Sequence, residues 1–261
     1  PRHTATAAAY PSGVHLRPFL FEDTACASYL FGCGTHSKLA VVDPHVELVD
    51  TYLATARELG KDIVAVLETH VQADHVSGLP ALVAATGATA YLPEGSGVAF
   101  PHEELADGEE LVLGNTVVRA VATPGHAPAH NAYVVADRKR GTDEPWLVFT
   151  GDSLLVGDVG RPDLHASGAL TPEDLARRQY ASLAKLLELA DGVVVYPSHY
   201  AGSVCARGLS GHPFSTIGFE RSHNEALQPQ DVESFVAAIL RDQPPAPPEQ
   251  AAIVAANRAG A

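Results

Sequence analysis

From residue 14 to residue 42 the chain alternates short apolar runs (L-R-P-F-L-F, A-S-Y-L-F-G, K-L-A-V-V-D-P) with Gly, Asp and Pro. This is the pattern of successive strands joined by tight turns. The period then changes. Leu48, Val49, Tyr52, Leu53, Ala56 and Leu59 recur at helical spacing, and Gly60 stands where a helix end favours positive φ. Residues 62–68 (D-I-V-A-V-L-E) form a continuous β-branched run, which predicts a strand buried on both faces that delivers Thr69 and His70 to its C-terminal end. A helix over 76–87 and a strand over 88–93 follow, so strand and helix alternate here. Further on, 109–123, 132–135 and 146–150 read as meander strands. Thr171-Pro172-Glu173-Asp174 opens a helix reaching about 190, and 193–196 is a last core strand ending at Pro197-Ser198-His199. One more helix is expected at 232–240. The run D-Q-P-P-A-P-P-E-Q then predicts an extended surface segment opening a Pro-rich C-terminal tail, 242–261. There is no internal repeat.

Length and composition narrow the classes. At 261 residues a single α/β domain can bury its own core. The three cysteines, Cys26, Cys33 and Cys205, include no C-x-x-C pair, which argues against a disulfide framework and for a reducing cytoplasm. The net charge of -14 has no basic stripe to offset it, so nucleic acid is not an expected partner. No run approaches the roughly 20 apolar residues of a membrane span, and the N-terminal P-R-H-T-A-T-A-A-A-Y lacks the apolar stretch of a signal peptide. A soluble cytoplasmic protein with no membrane contact is expected.

Thirteen histidines make ligand chemistry the main question. Predicted strand ends deliver T-H-V-Q-A-D-H (69–75), A-T-P-G-H (122–126), F-T-G-D (149–152) and Y-P-S-H (196–199). Any one of these side chains alone could be a turn cap, but loops at strand ends let several converge on one point. His70, His126 and Asp152 offer two imidazoles and a carboxylate, a donor set that leaves open positions on ferrous iron. Asp74, His75 and His199 either orient the first ion's ligands through hydrogen bonds or, sharing Asp152, offer a second ion site of the kind found in hydrolases whose metals lie about 3.5–4 Å apart. One iron or two zincs both remain open on residue types alone. Arg161, with Asp158 and Asp163 nearby, reads as a structural ion pair ahead of a grip on substrate carboxylates, and Arg221 faces the same choice. Tyr200 is a candidate gate at the site mouth, and Cys205 a candidate redox-sensitive or sulfur-carrying thiol. Cys26 and Cys33 read as core or strand residues. His130 reads equally as a partner to a metal ligand or as a structural histidine. The remaining histidines, His165 among them, lack strand-end context and are set aside.

With these residues in view the chain resembles the metallo-β-lactamase superfamily, whose H-x-H-x-D-H signature corresponds to His70, Gln72, Asp74 and His75. It is similar in particular to the persulfide dioxygenases, the branch that in some members is fused to rhodanese domains. The stretches carrying that likeness are T-P-G-H-A-P-A-H-N-A-Y (123–133), F-T-G-D-S-L-L-V-G-D-V-G-R-P-D-L (149–164), Y-P-S-H-Y-A-G-S-V-C (196–205) and S-T-I-G-F-E-R-S-H-N-E-A-L (215–227). The resemblance implies a four-layer αβ/βα sandwich, two mixed sheets flanked by helices, as one domain over 1–261. It implies one Fe(II) per chain on His70, His126 and Asp152, and oxidation of glutathione persulfide, or a similar low-molecular-weight persulfide, by O2 to sulfite and thiol. The second signature histidine is not an iron ligand in that family, so Gln72 is tolerated there. In a dinuclear zinc hydrolase of the glyoxalase II or thioesterase type the same position binds zinc, and an amide is a poorer ligand than imidazole. Zinc hydrolysis stays as the alternative, with a non-catalytic binding protein on the same fold behind it. A separate rhodanese-like sulfurtransferase is an expected partner, and a homodimer an open option.

Overall fold

The computed structural model describes residues 13–141, 143–166, 168–201, 210–229, 231–243 and 245–260. Two mixed six-stranded sheets face each other. The first runs in the order β1 (Val14–Phe21), β2 (Cys26–Cys33), β3 (Lys38–Val42), β4 (Asp62–Leu67), β5 (Thr89–Pro93) and β6 (Glu103–Leu105). Its first three strands form the antiparallel meander that the Gly- and Pro-punctuated runs predict. From β3 to β6 the pairing is parallel: α1 (Val49–Leu59) and α2 (Leu79–Thr86) carry the chain back before β4 and β5, and the loop 94–102 does so before β6. The second sheet holds β7 (Glu110–Leu113), β8 (Thr116–Ala122), β9 (Asn131–Asp137) and β10 (Pro145–Gly151) as antiparallel neighbours. Helix α3 (Pro172–Leu186) then returns the chain to β11 (Val194–Pro197), parallel to β10, with β12 (Ser215–Thr216) at the edge and α4 (Ile217–His223) directly after it.

Strand β2 shows why the layers are four. All eight of its residues are buried, yet they divide by the two-residue period: Ala27, Tyr29 and Phe31 enter the core between the sheets, while Leu30 packs with Tyr52, Leu79 and Leu82 under α1 and α2. On the far side, Val148 and Val195 meet α3 and α5 (Val232–Ile239) through Leu183, Leu186, Phe235 and Ile239. Helix, sheet, sheet, helix is the sandwich the resemblance implies.

At one end the two sheets are sewn together. Asn131 N–H at the start of β9 donates to Thr69 O just beyond β4 (2.8 Å), and Ala27 N–H in β2 donates to Ser198 O just beyond β11 (2.7 Å). The predicted ligand-bearing strand ends therefore open onto one shared edge. Gly60 ends α1 at φ 63, as its position predicts. The segment 242–261 differs from expectation: α6 (Gln250–Ala259) is a ten-residue helix, and its Asn257 is buried. Among the described residues no helix is long and apolar enough to cross a membrane.

Candidate metal centre

Beneath the site lies a buried carboxylate. Asp43 accepts from Thr69 N–H (2.7 Å), from the Thr69 hydroxyl (2.8 Å) and from the Ser198 hydroxyl, so one side chain fixes the ends of both β4 and β11. With its own proton given to Asp43, Thr69 Oγ1 accepts from His70 Nδ1–H at 3.0 Å. That leaves the His70 Nε2 lone pair pointing inward. The same logic holds at His126, whose Nδ1–H donates to Arg161 O (2.9 Å), freeing Nε2. Asp152 Oδ2 stands 3.5 Å from His126 Nε2 and 4.0 Å from His70 Nε2. Among the described residues His126 Nε2 and Asp152 Oδ2, both buried, have no hydrogen-bond partner. Polar atoms so placed are costly unless something binds them, and two imidazole nitrogens with a carboxylate oxygen suit a divalent transition metal.

Electrostatics prepare these groups. Burial, with His126 and His130 adding to it, holds the His70 pKa well below the ordinary value, and burial also lowers that of His126 against the pull of Asp152. Both rings are thus neutral and able to coordinate. Burial pushes the Asp152 carboxyl up, but His199, His126 and His70 outweigh it and keep it ionised well below the usual range. His130 is fully used: Asp152 N–H donates to its Nε2 (3.2 Å), so its Nδ1–H donates to Thr123 Oγ1 (2.8 Å). It is a positioning residue for the Asp152 turn. The G-D-V-G-R-P-D-L stretch acts likewise. Gly160 N–H donates to Asp152 O at 3.0 Å, and a Cβ at position 160 would lie 2.9 Å from His126 Nδ1 and still closer to Asp152 O. Gly151, at φ 54, leaves room for His130 and Thr69, which a Cβ would meet at 2.5 and 2.6 Å.

A second cluster adjoins the first. His199 spans the two carboxylates, Nδ1 lying 2.7 Å from Asp152 Oδ1 and Nε2 2.7 Å from Asp74 Oδ2. Asp74 Oδ1 also lies 3.1 Å from His75 Nδ1. Cys26 joins them, its Sγ 3.4 Å from Asp74 Oδ2, 3.5 Å from His75 Nδ1 and 3.4 Å from His199 Nε2. Cys26, Asp74, His75 and His199 thus form one group of donor atoms mutually within 4.8 Å. Burial opposes charge on His75, but Asp74 more than offsets it and raises the His75 pKa well above ordinary. Burial pushes the Cys26 thiol up, yet His199 and His75 leave it lowered. This cluster is largely satisfied by its own hydrogen bonds and ion pairs, but among the described residues His75 Nε2 is left without a partner, as His126 Nε2 and Asp152 Oδ2 are in the first.

The structure corrects several sequence expectations. Cys26 is no plain core residue: the isolated bridge between Cys26 and His199 brings it to the site from the opposite sheet. His165, set aside on sequence, belongs to a donor group with His70 and His126. Arg161 makes the ion pair expected of it: its buried guanidinium grips Asp163 (2.6 and 2.8 Å), while its carbonyl holds His126. Arg221 pairs with Asp191 and donates to Leu189 O (3.1 Å) beyond the end of α3. Tyr200 does line a cleft of about 760 Å³, with Glu22, Asp23, Asp74, Glu249 and Ile253. Cys205 lies outside the described residues. The Gln72 amide nitrogen donates to Glu68 Oε2 (3.3 Å).

A family model described as the metallo-β-lactamase superfamily matches residues 22–199. The chain is 27% identical to the mitochondrial persulfide dioxygenase ETHE1 of Bos taurus over 241 residues, 91% of this chain and 85% of the relative. It is 32% identical to a hydroxyacylglutathione hydrolase of Polaromonas sp., across 66% of this chain and 61% of that protein. Among solved structures, that of ETHE1 from Myxococcus xanthus superposes with a TM-score of 0.80 at 30% identity, covering 94% of this chain and 98% of the other.

Proposed function

The chain belongs to the metallo-β-lactamase superfamily, and on that footing we propose that it is an iron-dependent persulfide dioxygenase, oxidising glutathione persulfide or a similar low-molecular-weight persulfide to sulfite and thiol. The observation that carries this reading is the convergence of His70 Nε2, His126 Nε2 and Asp152 Oδ2, beside a Gln72 whose amide turns to Glu68. His70, His126 and Asp152 would hold the ion. A ferrous ion held there would supply the redox chemistry for oxidising a persulfide sulfur with dioxygen. In the balanced reaction dioxygen takes up the electrons that sulfur loses, and water supplies the remaining oxygen of sulfite. The protein's own part is positional. Asp43 through Thr69 aims His70, Arg161 O aims His126, and His130 with Gly160 aims Asp152. The cleft lined by Tyr200 and Asp74 is where the thiol carrier would enter. A separate rhodanese-like sulfurtransferase is the class of enzyme that would supply such a persulfide.

One observation favours a second reading. The grouping of Asp74, His75 and His199 beside Asp152 is the donor set of a second zinc in a hydrolase of the glyoxalase II type. Gln72 stands against it. Reconstitution with Fe(II) under anaerobic conditions, followed by oxygen uptake and sulfite release on glutathione persulfide, separates the two. About one iron per chain with uptake is expected, and His126→Ala should lose iron and turnover together. Two zincs with thioester cleavage and no oxygen consumption would overturn the dioxygenase reading.

A further inference from the structure

The cleft beside the metal centre is ringed by one sign of charge. Asp74 lies in its wall and touches His199, which reaches on to Asp152, so the cleft leads to the site. Its volume of about 760 Å³ leaves ample room for a thiol carrier. Distant parts of the chain build the rim: Glu22 and Asp23 from the turn between β1 and β2, Asp74 from the loop after β4, and Glu249 at the start of α6. Four carboxylates thus border one opening, and no Lys, Arg or His is among the described residues that line it. Asp74 is paired with His75 and His199, but among the described residues Glu22, Asp23 and Glu249 enter no ion pair. The N-terminal end of α6, which would attract an anion, carries the Glu249 carboxylate at its own cap position. Pro247 and Ile253 beside it are apolar. Between such walls, charges of one sign focus their field at the mouth, and the net charge of -14 adds to it.

We propose that the thiol carrier taken by this cleft bears no net negative charge, so that persulfides of amine-bearing or uncharged thiols are preferred to glutathione persulfide. Glutathione carries two carboxylates against one ammonium at neutral pH, and its net charge has the wrong sign for this rim. A carrier with an ammonium group and no carboxylate gains where glutathione loses. The reacting sulfur is common to both and does not alter the comparison. Glu22, Asp23 and Glu249 are then residues that determine specificity without touching the metal. The choice of carrier rests on the cleft alone; only the reaction performed on it rests on the proposed function.

Glutathione and its dimethyl ester serve as probes, because they share one skeleton and differ by two negative charges. Binding of each thiol to the iron-loaded protein is measured anaerobically by titration calorimetry at about 20 mM and about 200 mM salt, between which the Debye length falls from roughly 20 Å to roughly 7 Å. The ester is expected to bind at least about tenfold more tightly at the lower salt, and the ratio should shrink at the higher. Most of the ratio should be lost in the triple variant Glu22→Gln, Asp23→Asn, Glu249→Gln, whose three positions are all exposed. Equal binding of the two thiols overturns the proposal. So does a preference for the ester that neither salt nor the triple variant reduces, since apolar contact with the methyl groups then explains it. Should the variant fail to fold, the salt dependence of the wild type decides alone. Oxygen uptake on the two corresponding persulfides tests the reaction separately. If neither consumes oxygen while the ester still binds more tightly, the dioxygenase reading fails and the charge selection stands.

Discussion

Gln72 is held by its surroundings. Its amide nitrogen is engaged by Glu68, whose other carboxylate oxygen binds the Ser77 hydroxyl, and its backbone oxygen accepts from Asn257 at 3.0 Å. Gln72→His should therefore leave iron-dependent oxygen uptake largely intact while strengthening zinc binding by about tenfold. Competition between the two metals, followed by metal analysis, checks this. Loss of uptake in an iron-loaded variant would count against it. His130 gives a pH signature. Burial lowers its pKa from 6.5 to about 3, so the folded state keeps it neutral where an unfolded chain would protonate it. Its contribution to stability is complete above pH 6.5 and drains away as pH falls through that value toward about 3, at up to about 1.4 kcal/mol per pH unit. His130→Gln keeps the acceptor for Asp152 N–H and has nothing to titrate. Urea unfolding at about pH 7 and about pH 4.5 should show a smaller loss of stability in the variant, by about 1–3 kcal/mol. His70, His126, Asp152 and His199 were legible in the sequence because each ends a buried run that reads as a strand. His165 and Cys26 were not. One depends on the path of a loop, the other on a bridge between sheets, and neither leaves a periodic trace.

Helix α6 was the element least visible beforehand, since the prolines before it set the reading of the whole tail. Its role is specific. Asn257 Nδ2 donates to Gln72 O (3.0 Å) and His75 O (2.9 Å), and its Oδ1 accepts from Ser77 N–H (2.9 Å). One side chain thus satisfies three backbone groups of the 72–77 loop, which no regular ladder pairs. Asn257→Leu, similar in bulk but unable to bond, should cost about 1–3 kcal/mol and weaken metal binding by about tenfold. Thermal melts and Co(II) titration check both; unchanged metal affinity would mean that the loop holds its shape unaided. Other elements were readable because local chemistry decides them. Thr171 and Asp174 form the reciprocal cap at the start of α3, as Thr-Pro-Glu-Asp predicts. The short strand β6 went unread, as three residues carry too little pattern to separate from a turn.

At the scale of the molecule, the sandwich is one body whose edge carries the site, so metal binding and global stability are linked. A metal at about 100 times its dissociation constant should add about 2.7 kcal/mol, raising Tm by roughly 5–10 °C for a chain of this size. A chelator should reverse that shift in the wild type and leave His126→Ala unmoved, which calorimetry can follow. The four layers were legible only through the family resemblance; the apolar pattern by itself showed that a strand such as β4 needs cover on both faces. The sewing of the two sheets at Thr69–Asn131 and Ala27–Ser198 was not, since it joins residues that no local pattern relates. The clasp made by Asn257 also orders events in time. It reaches back 185 residues to Gln72, so on a ribosome adding roughly 5–20 residues per second the loop bearing Gln72 emerges about ten to forty seconds before its clasp exists. Throughout that interval the stretch from Gln72 to Ser77 lacks the three bonds that Asn257 gives it.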